Sequence, residues 1–256
     1  MTSVSEHALH SEISTIPLCE TSGLNQQQQL RLLTSTWDLL TPEERIKFLQ
    51  QPGNELASAV VDSVTWFQHW TKTRDDQDPI RPYKHLRTPY LKILHDIWMR
   101  ERVMYLEKSR SMVSSWWGAG ETLHYVMTHQ PAKALFMAQD QDRAVVLRDY
   151  VWTLYEQQDE RLRKLYPVPR SRRAQSFDKL ELSDGGIIIA LPGKDPDKVR
   201  SEHPTIVLFD EACFIEQGGE AFDIALASRV PKVLLISTAA PSWLRRITKN
   251  ALPEAL

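Results

Sequence analysis

R-V-M-Y-L-E-K-S-R-S-M-V-S-S, Arg102 to Ser115, decides how the rest of the chain is read: a short apolar run stops abruptly in a loop of small, hydroxylated and basic residues. It reads as a strand delivering a phosphate-binding loop. Trp116 to His129 can continue as a helix, whose first N–H groups would point at whatever anion sits in the loop. The usual loop, G-x-x-x-x-G-K-[ST], places a glycine and a lysine just before its hydroxyl residue. Here Val113 and Ser114 occupy those places, Ser115 keeps the hydroxyl, and the basic residues come earlier as Lys108 and Arg110.

Upstream, residues 1–24 are rich in Ser, Thr and Glu without a sustained period, and ordered structure is not expected there. From Asn25 the pattern turns helical. Leu30, Leu33, Trp37 and Leu40 recur along Gln26 to Leu40, and Thr41-Pro42-Glu43-Glu44 caps a second helix reaching about Gln51. Leu56 to Trp70 is a third apolar segment. Residues 25–80 are therefore expected to form a helical segment packing on a core domain of residues 81–256, with Asp75 to Thr88 as a charged, proline-punctuated connector. Pro89 opens a helix from Tyr90 to Arg100, which leads into the strand from Val103 to Leu106.

Downstream the chain alternates. Ala134 to Ala138, Thr205 to Phe209 and Val233 to Ile236 are buried-strand runs; Asp140 to Tyr166 and Ala221 to Ser228 are helical; Lys179 to Leu182 and Ile187 to Leu191 form a hairpin across Ser183-Asp184-Gly185-Gly186. Strands alternating with helices predict an α/β fold, a mostly parallel sheet covered on both faces.

Composition bounds the rest. The 256 residues are 42% apolar and 25% charged, an ordinary globular balance for one large α/β domain or a medium one with an appendage. A net charge of -2 carries no global nucleic-acid signature, so any such surface is local. Cys19 and Cys213 stand far apart, against a disulfide framework or a cysteine-rich zinc site, and the eight histidines have no metal-ligand spacing. Without a membrane-length apolar stretch or a signal peptide, the chain is expected to be soluble and intracellular.

Two further strand ends carry polar groups. Thr205-Ile-Val-Leu-Phe209 runs into Asp210-Glu211-Ala212, and ionised groups ending an apolar strand need a metal, a partner or solvent. Ligands of open α/β sheets bind outside these carboxyl ends. Asp210 suits a magnesium ion held through water, and Glu211 suits a general base for an attacking water. As a plain helix start, the same dipeptide would simply complement a helix dipole. Val233 to Ile236 runs into Ser237-Thr238-Ala239, hydroxyls able to sense a phosphate or merely to satisfy loop backbone.

In order and spacing these residues resemble the large subunit of tailed-bacteriophage terminases, the motor that drives DNA into the procapsid. Lys108-Ser109-Arg110-Ser111-Met112 followed by Ser115-Trp116 looks like that family's deviant phosphate loop, in which a lysine at the front replaces the late one. Asp210 and Glu211 then match the Walker B pair and Ser237-Thr238-Ala239 the coupling motif. The likeness extends over about residues 60–245, including Trp66 to Trp70 and the helix from Tyr90, which resemble the segment near the adenine.

The resemblance implies a P-loop NTPase of the additional-strand, RecA-like class that binds ATP and Mg2+. Lys108, Ser109, Arg110, Ser111, Met112, Ser114 and Ser115 would hold phosphate, Ser115 and Asp210 the metal, and Glu211 the water. Tyr90 stands about where the family's adenine-reading glutamine is expected. Arg110 matches an arginine near the transferred phosphate. Arg200, in R-S-E-H-P-T-I-V-L-F-D-E, resembles an arginine that in some terminases reaches the next subunit's ATP, with Ser201 replacing the family's glycine. The implied partners are double-stranded DNA, the portal protein, the small terminase subunit and further copies in a ring, in the cytoplasm of a bacterial host and without a membrane. The family's nuclease domain has no room here, so no nuclease activity is expected of this chain.

Arg161 to Arg173 is basic, and Arg170, Arg172 and Arg173 are candidates for contacts to DNA phosphates, as against a solvated helix end. Two other readings share these motifs: a helicase-like or repair ATPase of the same class, and a degenerate nucleotide-binding scaffold, which Val113 and Ser114 favour.

Overall fold

A computed structural model describes residues 25–37, 39–75, 78, 80–109, 113–129, 131–169 and 179–247. The expectations for residues 1–24, and for Arg110, Ser111, Met112, Arg170, Arg172 and Arg173, lie outside the described residues. The chain divides into two compact units between Asp62 and Ser63.

The first unit contains α1 (Gln26–Trp37), α2 (Pro42–Gln50) and α3 (Glu55–Val61). Thr41 and Glu44 form a reciprocal capping box: Glu44 Oε2 accepts from the Thr41 N–H at 2.8 Å, and Thr41 Oγ1 accepts from the Glu44 N–H at 3.3 Å. This satisfies two orphan donors and starts α2 where the sequence signature placed it. Trp37, Leu40 and Val61 form its buried cluster, with Phe48 edge-on to Trp37.

Residues 63–80 group with the second unit, not with these helices. The reason is polar and local. Thr71 Oγ1 donates to the Leu154 carbonyl at 2.6 Å, and Trp66 Nε1 donates to Gln158 Oε1 at 3.3 Å. The apolar segment Leu56 to Trp70 is thus divided: after α3 come α4 (Ser63–Thr65) and a π-helical turn at Trp66–Trp70. Within the connector, β1 (Thr73–Arg74) and β2 (Tyr83–Lys84) pair antiparallel.

The main sheet follows α5 (Leu91–Arg100). In chain order its elements are β3 (Val103–Lys108), α6 (Ser114–Thr128), β4 (Lys133–Ala138), α7 (Gln141–Glu156), α8 (Glu160–Leu165), β5 (Lys179–Glu181), β6 (Ile187–Pro192), α9 (Asp197–Glu202), β7 (Ile206–Asp210), α10 (Gly218–Ala227) and β8 (Lys232–Thr238). The six strands lie in the order β3-β8-β7-β4-β6-β5, parallel except for β5 against β6. The long helix expected from Asp140 is two helices, because Asp159 caps a fresh start by accepting from the Arg161 N–H at 2.9 Å.

Both faces of the sheet are covered, which explains why its central strands read as continuous apolar runs rather than alternating ones. On one face Gly118 brings α6 so close that an added Cβ would lie 2.6 Å from Ile236 and 2.9 Å from Leu208. On the other, Leu135, Val207, Phe209, Val233 and Leu235 pack with Phe222 and Ala225 of α10. The strand β8 lies between β3, which ends in the loop, and β7, which ends in the two carboxylates. That inserted strand makes the sheet an additional-strand P-loop arrangement, the class that the family resemblance implied.

Candidate functional site

Register brings the polar strand ends level. Lys108 stands opposite Thr238, and Asp210 opposite Ile236, so the ends of β3, β8 and β7 open on one edge of the sheet. There Lys108 Nζ donates to Glu211 Oε1 at 2.8 Å. The other carboxylate oxygen, Glu211 Oε2, accepts from Thr238 Oγ1 at 3.2 Å and from the Thr238 N–H at 3.3 Å. Beside them Ser115 Oγ donates to Asp210 Oδ1 at 2.7 Å. Residues distant in sequence thus meet at one place: the loop lysine, the helix hydroxyl, both carboxylates and the hydroxyl ending β8.

The two adjacent carboxyls are driven apart electrostatically. Burial pushes Asp210 above the usual carboxylate range, against the opposing pull of Ser115 and Lys108. Burial acts in the same sense on Glu211, but the Lys108 ammonium and the Thr238 donors outweigh it and hold that carboxyl below its usual value. Neighbouring acids tuned in opposite directions are a common arrangement where one binds and the other handles a proton.

The start of α6 is unusual in two ways. Val113 precedes it with φ at 56°, in the left-handed region, where a β-branched side chain is strained. This is the place where the usual loop has glycine, the residue that takes such a φ without penalty. Ser114 is 3% exposed, and its Oγ has no hydrogen-bond partner among the described residues. Among the described residues no side chain caps α6. A helix start with open N–H groups and a buried, unmatched hydroxyl is a ready anion site.

Hard cations take oxygen ligands, and Ser115 Oγ together with Asp210 supplies a pair of them, so these residues fit magnesium. Glu211 also has a left-handed backbone, with φ at 50°, which turns its side chain out of the strand line toward Lys108 and Thr238. Ser237 is fully buried; its Oγ accepts from the Cys213 N–H at 3.0 Å and donates to the Thr238 carbonyl at 3.0 Å. The end of β8 is therefore bonded both to Glu211 and to the 3-10 turn Ala212–Phe214 that follows it.

Other candidates stand apart from this cluster. Ser109 is exposed just past β3. Tyr90 is the half-buried N-cap residue of α5. Ala239 is exposed and lines a groove with Tyr105, Glu107 and Pro241. Arg200 lies on α9, a short helix that no sequence signal marked, pairing with Asp197 at 3.2 Å with 68% of its side chain exposed. Sequence reading missed Glu121, a buried acid within W-W-G-A-G-E-T-L-H; a lone carboxylate on an apolar helix stretch was the available signal.

No protein-family model matches the chain, and no curated protein matches it. Solved structures do. The crystal structure of the HK97 bacteriophage large terminase is similar with a TM-score of 0.54 at 15% identity, over 73% of this chain and 41% of that one. The ATPase domain of the Thermus phage P74-26 large terminase gives 0.51 at 18% identity, over 67% of this chain and 73% of that domain. A mutant of the same domain gives 0.50 at 18% identity, over 72% and 78%. At these identities the likeness is one of fold, and the fold is that of phage large-terminase ATPase domains. The chain spans about two fifths of the HK97 protein it matches.

Proposed function

We propose that this chain is the magnesium-dependent ATPase domain of a phage DNA-packaging motor, which hydrolyses ATP to translocate double-stranded DNA. The observation that carries the reading is the convergence of Lys108, Ser115, Asp210, Glu211 and Thr238 at the level ends of three strands, beside a helix start that no described side chain caps. Lys108 pairs with the β and γ phosphates once it leaves Glu211, while Ser114 and the first N–H groups of α6 close around them. Ser115 and Asp210 hold magnesium, which supplies charge neutralisation on the phosphate oxygens. Glu211, freed from Lys108 but still held by Thr238, orients the attacking water and takes its proton. Ser237 and Thr238 carry the change at Glu211 into β8. Arg110 supports developing charge on the phosphate, and Arg200 serves a neighbouring copy in an assembled ring. Portal protein and small terminase subunit are the matching partners in an infected bacterial cytoplasm, with Arg170, Arg172 and Arg173 toward DNA.

Phosphate release measured with magnesium ATP, with Glu211→Ala as control, tests this. Release that falls to background in the variant supports the reading; equal rates in both proteins eliminate it. Val113 and Ser114 support a second reading, a nucleotide-binding scaffold, since they stand where the usual loop has its glycine and lysine. That reading expects nucleotide binding with no release in either protein.

A further inference from the structure

Glu121 belongs to no part of the mechanism above, yet it is a carboxylate only 2% exposed in the middle of α6. Burying an ionised group costs several kcal/mol unless donors surround it, and here they do. Its Oε1 accepts from Ser63 Oγ at 2.7 Å and from Trp117 Nε1 at 3.1 Å, and His95 Nδ1 lies 3.3 Å from Oε1 and 3.4 Å from Oε2. These partners come from three elements: Ser63 from α4, His95 from α5, and Trp117 from α6 itself.

The protons can be followed. An ionised carboxylate only accepts, so the single Ser63 proton goes to Glu121. His95 Nδ1, 2.8 Å from Ser63 Oγ, must then carry hydrogen and donate to that oxygen. A second proton on His95 turns the cluster into a buried ion pair. Among the described residues, the titratable groups facing Glu121 are His95 and, from its own helix, His124; both favour the ionised acid, and with Ser63 they hold it below its usual range despite burial. The π-helical turn presents Trp66, whose ring lies 5.6 Å from that of His124.

Position gives the cluster its consequence. The helix α5 runs into β3, which ends at Lys108, and α6 starts at the other end of the same loop. The Glu121 bridge therefore joins the two arms that carry the phosphate loop. We propose that Glu121, through Ser63 and His95, is a positioning residue that keeps those arms in register, and that protonation of His95 tightens the grip and with it nucleotide affinity. This rests on the phosphate-site reading above.

Histidine changes charge between about pH 5 and 8, and over that range two measurements separate the bridge from the nucleotide site. The first is hydrogen exchange at the amides of residues 114–118 without nucleotide, expressed as protection factors. The second is the Kd for a fluorescent ATP analogue with magnesium. In the wild type both protection and affinity should fall as pH rises, affinity by about ten-fold if one charged hydrogen bond is at stake. His95→Gln, which donates to Ser63 without titrating, should flatten both profiles, and Ser63→Ala should lower protection across the range. A variant profile as steep as the wild type, or flat protection in the wild type, overturns the proposal even if the analogue binds normally. An analogue that binds at no pH, alongside the expected exchange profiles, overturns the nucleotide reading and the affinity half of the proposal with it.

Discussion

Lys108 and Glu211 are joined at 2.8 Å, so the loop cation and the strand-end carboxylate neutralise one another before any phosphate arrives. On the proposed function, a nucleotide would have to win Lys108 away, and doing so would release one oxygen of Glu211 while Thr238 keeps the other. On that reading, binding and readiness for hydrolysis are one local event.

That pair has a pH signature. Burial alone would raise the Glu211 carboxyl, but Lys108 and Thr238 bring it below its ordinary value of 4.5. A depressed carboxyl stabilises the fold fully above its unfolded value, and the contribution fades as pH falls through the folded one. Lys108→Met removes the larger part. The melting-temperature gap between wild type and Lys108→Met should be constant near neutrality and should close as pH drops below about 4. A gap that widens on acidification contradicts the ion pair.

Val113 sits at φ 56° where glycine would be unstrained. Val113→Gly removes a strain of about 1–3 kcal/mol and adds back up to roughly 1 kcal/mol of unfolded-chain entropy. The expected result is a net gain of about 1 kcal/mol, seen as a higher urea midpoint with an unchanged slope. A lower midpoint would show that the valine side chain contributes packing that outweighs the strain.

Gly120 faces Phe67, whose ring atoms occupy the space a Cβ would take, and Phe67 is fully buried. Gly120→Ala should therefore destabilise the second unit by about 2 kcal/mol, measured by denaturant unfolding. The same change at Gly185, where nothing lies within 4 Å but φ is 95°, tests backbone strain without a clash.

Arg200 is exposed on α9 and paired only with Asp197 among the contacts described for it. In dilute solution Arg200→Ala should leave phosphate release unchanged. At concentrations or on templates that assemble copies, the same variant should lose at least about ten-fold, in line with the weight of an arginine acting across subunits. A loss under dilute conditions would place its action within one chain.

The sequence made the strands and their polar ends legible because each is a local signal. Val103 to Lys108, Asp210-Glu211 and Ser237-Thr238 could all be found from an apolar run and what stops it. The order β3-β8-β7 could not, since no residue in β3 names its partner, and only pairing shows that Thr238 bonds Glu211. The helix α9 and the β1/β2 pair escaped because elements of six and two residues leave no measurable period. Glu121 escaped because its partners Ser63 and His95 arrive from other helices.

The placement of β8 also governs when the site comes into being. Among the described strands of the sheet, β3 is the first to be synthesised, and β8, the last, is the one neighbour it has. Until Val233 is available to Val103, the loop-bearing strand is attached to none of the others. Pairings this distant close slowly and late. A growing chain can therefore pair β4, β6 and β7 first and gain the β3 edge only once β8 has been made, so on the proposed reading the phosphate site is assembled after those strands.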